Sequence, residues 1–228
     1  MILEIKKVSS QSDLRWEVYK KQLLYGEATQ LVNGNLKRRI KFDLTELSSS
    51  GVDYYEMFYN PTNISSGTFF QKHGFYIYEN DGNAPLCCIR KHILGGLPHF
   101  ISLKREIYVM DFDSYGYLVY DILMGTKGRF LFVYRDDKVV AAIHHPNTVV
   151  NFHDCYTVYA DENEIDCNYL VMLVLFWDVS VFDRYEADMV TGIKINSNTS
   201  VTLPKVIREK YDPDFIPRIK AMDGIYDK

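Results

Sequence analysis

Tryptophan is scarce in this 228-residue sequence, with 2 Trp against 18 Tyr and 13 Phe. The other shortages exclude whole classes of protein. Four cysteines, Cys87, Cys88, Cys155 and Cys167, include no Cys-x-x-Cys spacing for a metal or redox site. The adjacent pair would project to opposite faces of a strand, so free thiols in a reducing cytosol are expected. With 13 Gly and 7 Pro, collagen-like and low-complexity chains are excluded. The formal net charge of -4 offers no general attraction to phosphate backbones, and nucleic acid is not an expected partner. Met1 to Ser10 lack the basic start, apolar stretch and cleavage site of a secretory leader, which predicts a cytoplasmic protein, at most peripheral to a membrane. There is no Walker loop, dinucleotide fingerprint or nucleophile–base–orienter set, so neither an enzymatic reaction nor a cofactor is expected.

What is abundant is aromatic and β-branched. Hydrophobic residues at 47% and charged residues at 25% fit an ordinary folded chain, with the tyrosines and phenylalanines favouring half-buried pleated surfaces. From Phe75 onward, short runs of such residues alternate with polar turns. Phe75 to Tyr78 returns through Glu79 to Asn83 into Leu86 to Ile89, where Asp81-Gly82 supplies the conformation a tight turn needs. Ile107 to Met110 returns through Asp113 to Gly116 into Tyr117 to Tyr120, and Phe130 to Tyr134 returns through Arg135 to Lys138 into Val139 to Ile143. Tyr156 to Tyr159 is a further strand. Trp16 to Leu24, Arg39 to Leu44 and Tyr54 to Tyr59 are also read as extended, the last ended by Asn60-Pro61.

The strand rhythm stops at Asp161 to Asp166, and apolar residues then run from Tyr169 to Phe182 with few interruptions. A buried strand lasts about 4–8 residues, so this longer run predicts one helix, over about 168–183, with Asn168 as its N-cap. It is apolar on every side and must be enclosed by protein or lipid. A membrane span needs about 20 apolar residues, and Asp178, Ser180 and Asp183 crowd the end of this one. Protein is therefore the expected enclosure, with no transmembrane span. About fifteen helical residues extend roughly 22 Å, which a sheath of short tilted strands can cover. The expected architecture is mainly β: a closed antiparallel barrel around a central hydrophobic helix.

The order of these parts resembles the Tubby C-terminal-like superfamily, specifically the LURP-one-related proteins and their small bacterial relatives, with a more distant likeness to phospholipid scramblases. The resemblance is carried by Tyr76-Ile77-Tyr78-Glu79-Asn80-Asp81-Gly82-Asn83, by Phe132-Val133-Tyr134-Arg135-Asp136-Asp137-Lys138-Val139-Val140-Ala141, and by Tyr156 to Ala160 leading into the helix. It spans roughly residues 54 to 185 and implies about twelve strands around a buried helix. Some of those strands would have to come from an N-terminal segment, 1–50, ahead of a barrel unit, 51–185. Residues 186–228 continue past the family's usual end and are expected to pack on the barrel, the alternative being extra edge strands with a short helix from Lys205 to Lys210. Asp137-Lys138 stands where the family has Asp-Gly, so a longer or differently shaped third turn is expected.

Three clusters could carry chemistry. His144, His145, His153 and Asp154 are metal-like in type, but neighbouring strand residues diverge, and loop or surface histidines are the commoner outcome, so no metal is expected. Asp111 and Asp113 would share a strand face as catalytic carboxylates can, though turn-flanking aspartates usually do no more than face solvent. Asp178 reads ordinarily as a hydrogen-bonded or emerging carboxylate at the helix end. The best electrostatic candidate is Lys37, Arg39 and Lys41, which extended geometry places in one row, joined by Lys104 and Arg105 if the fold brings them close. Such a row can grip a phosphorylated headgroup, and it can equally be a solvated outer face that discourages edge aggregation.

The function expected is therefore that of a non-enzymatic binding or scaffold protein. The resemblance implies recognition of an anionic or phosphorylated lipid headgroup, and a protein partner is the other option. Two rivals stand beside it: a membrane-associated scramblase-like protein, and a hydrolase whose site is assembled from distant loops.

Overall fold

The described residues form twelve strands, and the inward rows of those strands meet one apolar helix. The structure is a computed structural model and describes residues 1–9, 14–33, 37–45, 52, 54–60, 74–80, 82–94, 105–112, 115–123, 128–146, 154–179 and 209–224. The strands are β1 (Ile2–Ser9), β2 (Arg15–Lys20), β3 (Leu23–Asn33), β4 (Lys37–Leu44), β5 (Tyr54–Asn60) and β6 (Gly74–Glu79), followed by β7 (Cys87–Leu94), β8 (Arg105–Phe112), β9 (Tyr115–Leu123), β10 (Arg129–Arg135), β11 (Lys138–His145) and β12 (Cys155–Ala160). Each pairs antiparallel with its neighbour in sequence, and β12 returns to pair with β1, so the sheet closes without an edge.

Helix α1 (Cys167–Trp177) follows β12 directly. Its N-cap is Asp166, not Asn168: the Asp166 carboxylate accepts from the Asn168 backbone N–H at 2.8 Å. An uncapped helix start leaves several N–H groups without partners; Asp166 takes one of them and frees Asn168 to turn inward. Asp178 and Val179 carry the chain on past the last helical turn, and the predicted continuation from 180 to 183 lies outside the described residues.

A helix on the outside of a closed barrel can touch only a few adjacent strands. Those of α1 touch strands around the whole circumference. Tyr169 meets Tyr55 of β5 at 6.1 Å between ring centres, Phe176 meets Phe75 of β6 at 4.8 Å and Tyr108 of β8 at 5.3 Å, and Trp177 meets Tyr156 of β12 at 5.9 Å. Asn168 reaches Tyr25 of β3, and Asp178, just beyond the helix, reaches Lys7 of β1 and Trp16 of β2. The helix is the core of the barrel.

Two strands bury both faces. On β10, Leu131 and Val133 point to the helix, whereas Phe130, Phe132 and Tyr134 form an outer cluster with Tyr120, Ile122, Val139 and Ala142. A bulge at Val140, where Val133 faces Ala141 and Tyr134 faces Val139, turns both Val140 and Ala141 into the inner cluster. The outer cluster is met by a second helix, α2 (Phe215–Met222), through Phe215 and Ile219. Of the helix expected over Lys205 to Lys210, Glu209 and Lys210 form a turn, and 205–208 lie outside the described residues. Pro217 sits in the first turn of α2, where its missing N–H would have had no partner in the helix.

Candidate functional site

The predicted basic row splits. Lys37, Arg39 and Lys41 do lie at alternate positions of β4, in register with β3 and β5. Arg39 and Lys41 are already engaged by carboxylates. The Arg39 guanidinium grips Glu56 of β5 through both terminal oxygens, with Nε donating at 3.1 Å, and Glu56 is only 4% exposed. Lys41 Nζ lies 2.5 Å from Asp43 and over the Tyr54 ring at 4.3 Å. Arg105 begins β8, which β5, β6 and β7 separate from β4, and Lys104 lies outside the described residues. The β4 row therefore has a carboxylate of its own at both described cations, and Arg105 is not brought beside it.

The described members of the metal-like and carboxylate groups each have a partner of another kind. His144 stacks on Phe130 with ring centres 4.6 Å apart, while His145 Nε2 lies 2.9 Å from Asp154 Oδ1, and His153 is outside the described residues. Among the described residues there is no group of three side chains able to hold a metal. Asp111 is ion-paired with Arg90 of the neighbouring β7, and Asp113 is outside the described residues.

Among the described residues, the densest buried polar constellation lies at the C-terminal end of α1, and of its members only Asp178, His145 and Asp154 stand out in the sequence. Asp178 is 1% exposed. Its Oδ2 accepts from Trp16 Nε1 at 3.0 Å and lies 3.3 Å from Lys7 Nζ, and its Oδ1 accepts from the Tyr156 hydroxyl. Burial, more than any other influence, holds the Asp178 carboxyl above its ordinary range, while the Lys7 ammonium opposes that rise. The Tyr156 hydroxyl is pushed well up for the same reason, with the Asp178 charge adding to it. Beside this set stand the His145–Asp154 pair and Arg129, whose guanidinium lies 5.4 Å over Trp177 while its Nε donates to Asp121 at 2.6 Å.

Lys7 is legible once its strand is known. Leu3, Ile5 and Lys7 alternate, so the lysine occupies an inward position and is 2% exposed. Chemically the cluster can hold a helix end in place: one carboxylate satisfies a lysine from β1, an indole from β2 and a phenol from β12. At such burial it presents nothing for a substrate to approach.

The opposite end is knotted through hydroxyls. Between Val18 and Tyr19 of β2 the register slips by one residue against β3, leaving Tyr25 as the extra residue. That bulge aims Tyr25 inward, and its hydroxyl donates to Asn168 Oδ1 at 2.8 Å and lies 3.2 Å from Cys167 Sγ. Asn168 in turn donates to the Tyr55 hydroxyl at 3.2 Å. Desolvation drives the Tyr25, Tyr55 and Tyr169 hydroxyls strongly upward, keeping them protonated donors. Gly26, next in the chain, has the Phe42 ring and the Asp43 carbonyl where a Cβ would sit, at 2.5 and 2.6 Å, so no larger residue fits.

An open concavity among the described residues lies outside the barrel, beside α2. It is a groove of about 460 Å³ with Tyr134, Lys138 and Val139 on the barrel wall and Lys210, Ile219 and Met222 on the tail wall. Its cations are partnered: Lys138 with Glu164 at 2.5 Å, Lys210 with Asp137 at 3.3 Å and Arg218 with Asp212 at 2.9 Å.

Comparison with known proteins returns no matching family model, no matching curated protein and no matching solved structure.

Proposed function

We propose that this chain is a non-catalytic binding or scaffold protein of the tubby-like barrel type, which meets its partners on the outside of the barrel. The observation that carries this reading is the filled interior: from Leu170 to Leu175 every helix residue is 0% exposed, and the surrounding strands supply the matching inward rows. Barrels that hold small ligands do so in an interior left open by their side chains. Here the chain's own helix occupies that space. Closed twelve-strand topology around an apolar helix is also what the sequence resemblance implies, and it supports the family reading.

Within that reading an anionic or phosphorylated headgroup would be gripped along β4. The Glu56 and Asp43 carboxylates compete for Arg39 and Lys41, so a headgroup must displace them. The scramblase-like alternative needs α1 in lipid. No helix among the described residues is long and apolar enough to cross a membrane, and α1 is enclosed by strands of its own chain.

The test is an isotope-labelled titration followed by NMR, with a soluble inositol polyphosphate and then with vesicles carrying a phosphorylated headgroup against neutral vesicles. Shifts confined to outward residues, with Val171 and Leu173 unmoved, are expected for an exterior binder. Shifts centred on the inward rows would overturn the reading. Headgroup binding that survives Lys37→Ala with Lys41→Ala and ignores salt would remove the β4 row from it.

A further inference from the structure

Lys7 and Asp178 stand apart from the other lysine ion pairs among the described residues. The other paired lysines, Lys6, Lys20, Lys41, Lys138 and Lys210, keep at least 27% of their side chains in solvent, whereas Lys7 keeps 2% and Asp178 none. A pair that dry gains little over apolar packing, because desolvating two charges offsets most of their attraction. What such a site can support, and a solvated pair cannot, is a reaction between its own members.

The reacting groups are held in place from both sides. Lys7 sits in β1, its backbone N–H donating to the Asp154 carbonyl at 2.8 Å, and the Asp178 N–H closes the last turn of α1 onto the Val174 and Leu175 carbonyls. Between them, Lys7 Nζ lies 3.3 Å from Asp178 Oδ2. Both carboxylate oxygens carry a further donor, the Tyr156 hydroxyl on Oδ1 and Trp16 Nε1 on Oδ2 at 3.0 Å. These donors draw electron density away from Cγ, and the Tyr156 hydroxyl stands where negative charge develops when a nucleophile adds there. Burial favours the uncharged carboxyl, and the nearby Asp154 charge adds to that preference. One proton passing from Nζ to Oδ2 turns the ion pair into a free amine beside a carboxylic acid, with no change in net charge.

We propose that Lys7 and Asp178 become joined by an isopeptide bond between Nζ and Cγ, formed by the folded chain itself. The Nζ lone pair adds to Cγ, and Oδ1 takes the negative charge under the Tyr156 hydroxyl. Nζ then gives a second proton to Oδ2, the charge on Oδ1 returns to Cγ, the Cγ–Oδ2 bond breaks, and water leaves. Of the three protons on the Lys7 ammonium, one stays on the amide nitrogen and two depart in the water, so the step needs no oxidant, cofactor or activating group. Bulk water opposes such a condensation. Here fixed geometry supplies an effective concentration that reaches about 10⁵–10⁸ M in well-oriented intramolecular reactions. The fully buried rings of Trp16, Tyr156 and Trp177 keep solvent from returning to the product. The ion pair is the state that folds, and its energetics belong to the freshly refolded chain; the amide follows. Once formed, it ties β1 to the end of α1, so the helix cannot leave the barrel as a free segment, and the loop it closes stays closed in denaturant. The inference concerns the interior alone and is independent of what the exterior binds.

The test is the mass of the intact chain in denaturant, measured on freshly refolded protein and again after prolonged incubation. The aged chain is expected to be lighter by one water, and proteolysis is expected to yield a branched peptide in which the residues around Lys7 are joined to those around Asp178, read by fragmentation. A succinimide at Asp81-Gly82 or Asp223-Gly224 also loses one water, so the branched peptide decides between these origins. Lys7→Arg keeps the positive charge but presents a guanidinium that stays protonated, and it is expected to hold its full mass. Full mass in the aged natural chain overturns the proposal, as does a loss of water that maps elsewhere or persists in Lys7→Arg. The deciding measurement is made on the natural chain, so a variant that fails to fold leaves it intact.

Discussion

Lys7 and Asp178 are each other's reason for being buried. Removing one leaves the other charged in a dry site, which costs about 3–5 kcal/mol, whereas removing both leaves mainly a volume change. Lys7→Met, which strands the Asp178 carboxyl, is therefore expected to lower the unfolding free energy by about 3–5 kcal/mol in urea titrations, and adding Asp178→Asn, which keeps an acceptor for Trp16 or Tyr156, is expected to recover a good part of it. If the two changes add, the pair does not interact. The pH dependence follows from the raised Asp178 carboxyl: between its ordinary value of 3.8 and its native one, the folded state binds more protons than the unfolded. That contribution to stability falls as pH rises through this window. Lowering pH from neutrality should thus shift the difference between the natural chain and Asp178→Asn in favour of the natural chain, read as urea midpoints at a series of pH values.

Cys87 is a simpler case. Its thiol is 2% exposed and burial pushes it up to about 12, so it should resist alkylation at pH 8 in the native protein and react once urea unfolds it. Native labelling at Cys87 at the rate of the unfolded chain would contradict its inward placement on β7.

Elements show where sequence signals sufficed and where they did not. The turn before β7 contains Asn80 and Gly82, residues that favour turns, and the hairpin is plain in the sequence. Trp16 to Leu24, expected as one extended stretch, is instead two strands joined at Lys21 and Gln22, both with positive φ (50° and 66°). Neither residue type advertises such a turn. Barrel closure imposes it, because β1 and β3 must both pair with β2. Since a non-glycine residue in that conformation costs about 1 kcal/mol, Lys21→Asn with Gln22→Gly is expected to raise the thermal midpoint by about 2–4 °C in a chain of this size. A lowered midpoint would mean that the two side chains contribute more than their backbone strain costs. The third turn, expected to be longer or differently shaped, is not longer: it holds only Asp136 and Asp137, with Asp136 at φ 53°, and a bulge at Val140 follows it.

At the scale of the whole molecule, stability depends on one helix touching strands from around the barrel. Leu173→Asp places a charge where exposure is 0%, with no partner in reach of its design, and is expected to abolish folding, read by circular dichroism and solubility. A soluble variant of undiminished stability would contradict the central position of α1. The helix was legible because it is apolar on all sides, and the hairpins because aromatic and β-branched runs alternate with polar turns from β6 to β12. The site was less so. His145 with Asp154, and Asp178, stand out in sequence, yet Lys7, Trp16 and Tyr156 come from β1, β2 and β12, and no local pattern states that these strands converge.

By itself, the sequence determined the hairpins from β6 to β12, that the apolar run after Asp166 coils, and that this coil must be enclosed, because strand-and-turn rhythm and all-round apolarity are local properties that burial must answer. Tertiary structure alone decided what cancels what. Arg39 and Lys41 read as a free basic row until Glu56 and Asp43 are placed beside them, and the outward aromatics of β10 read as core until α2 is seen to meet them from outside. Charge pairing and two-sided burial depend on which strands lie next to one another, and closing the sheet is what fixes those neighbours.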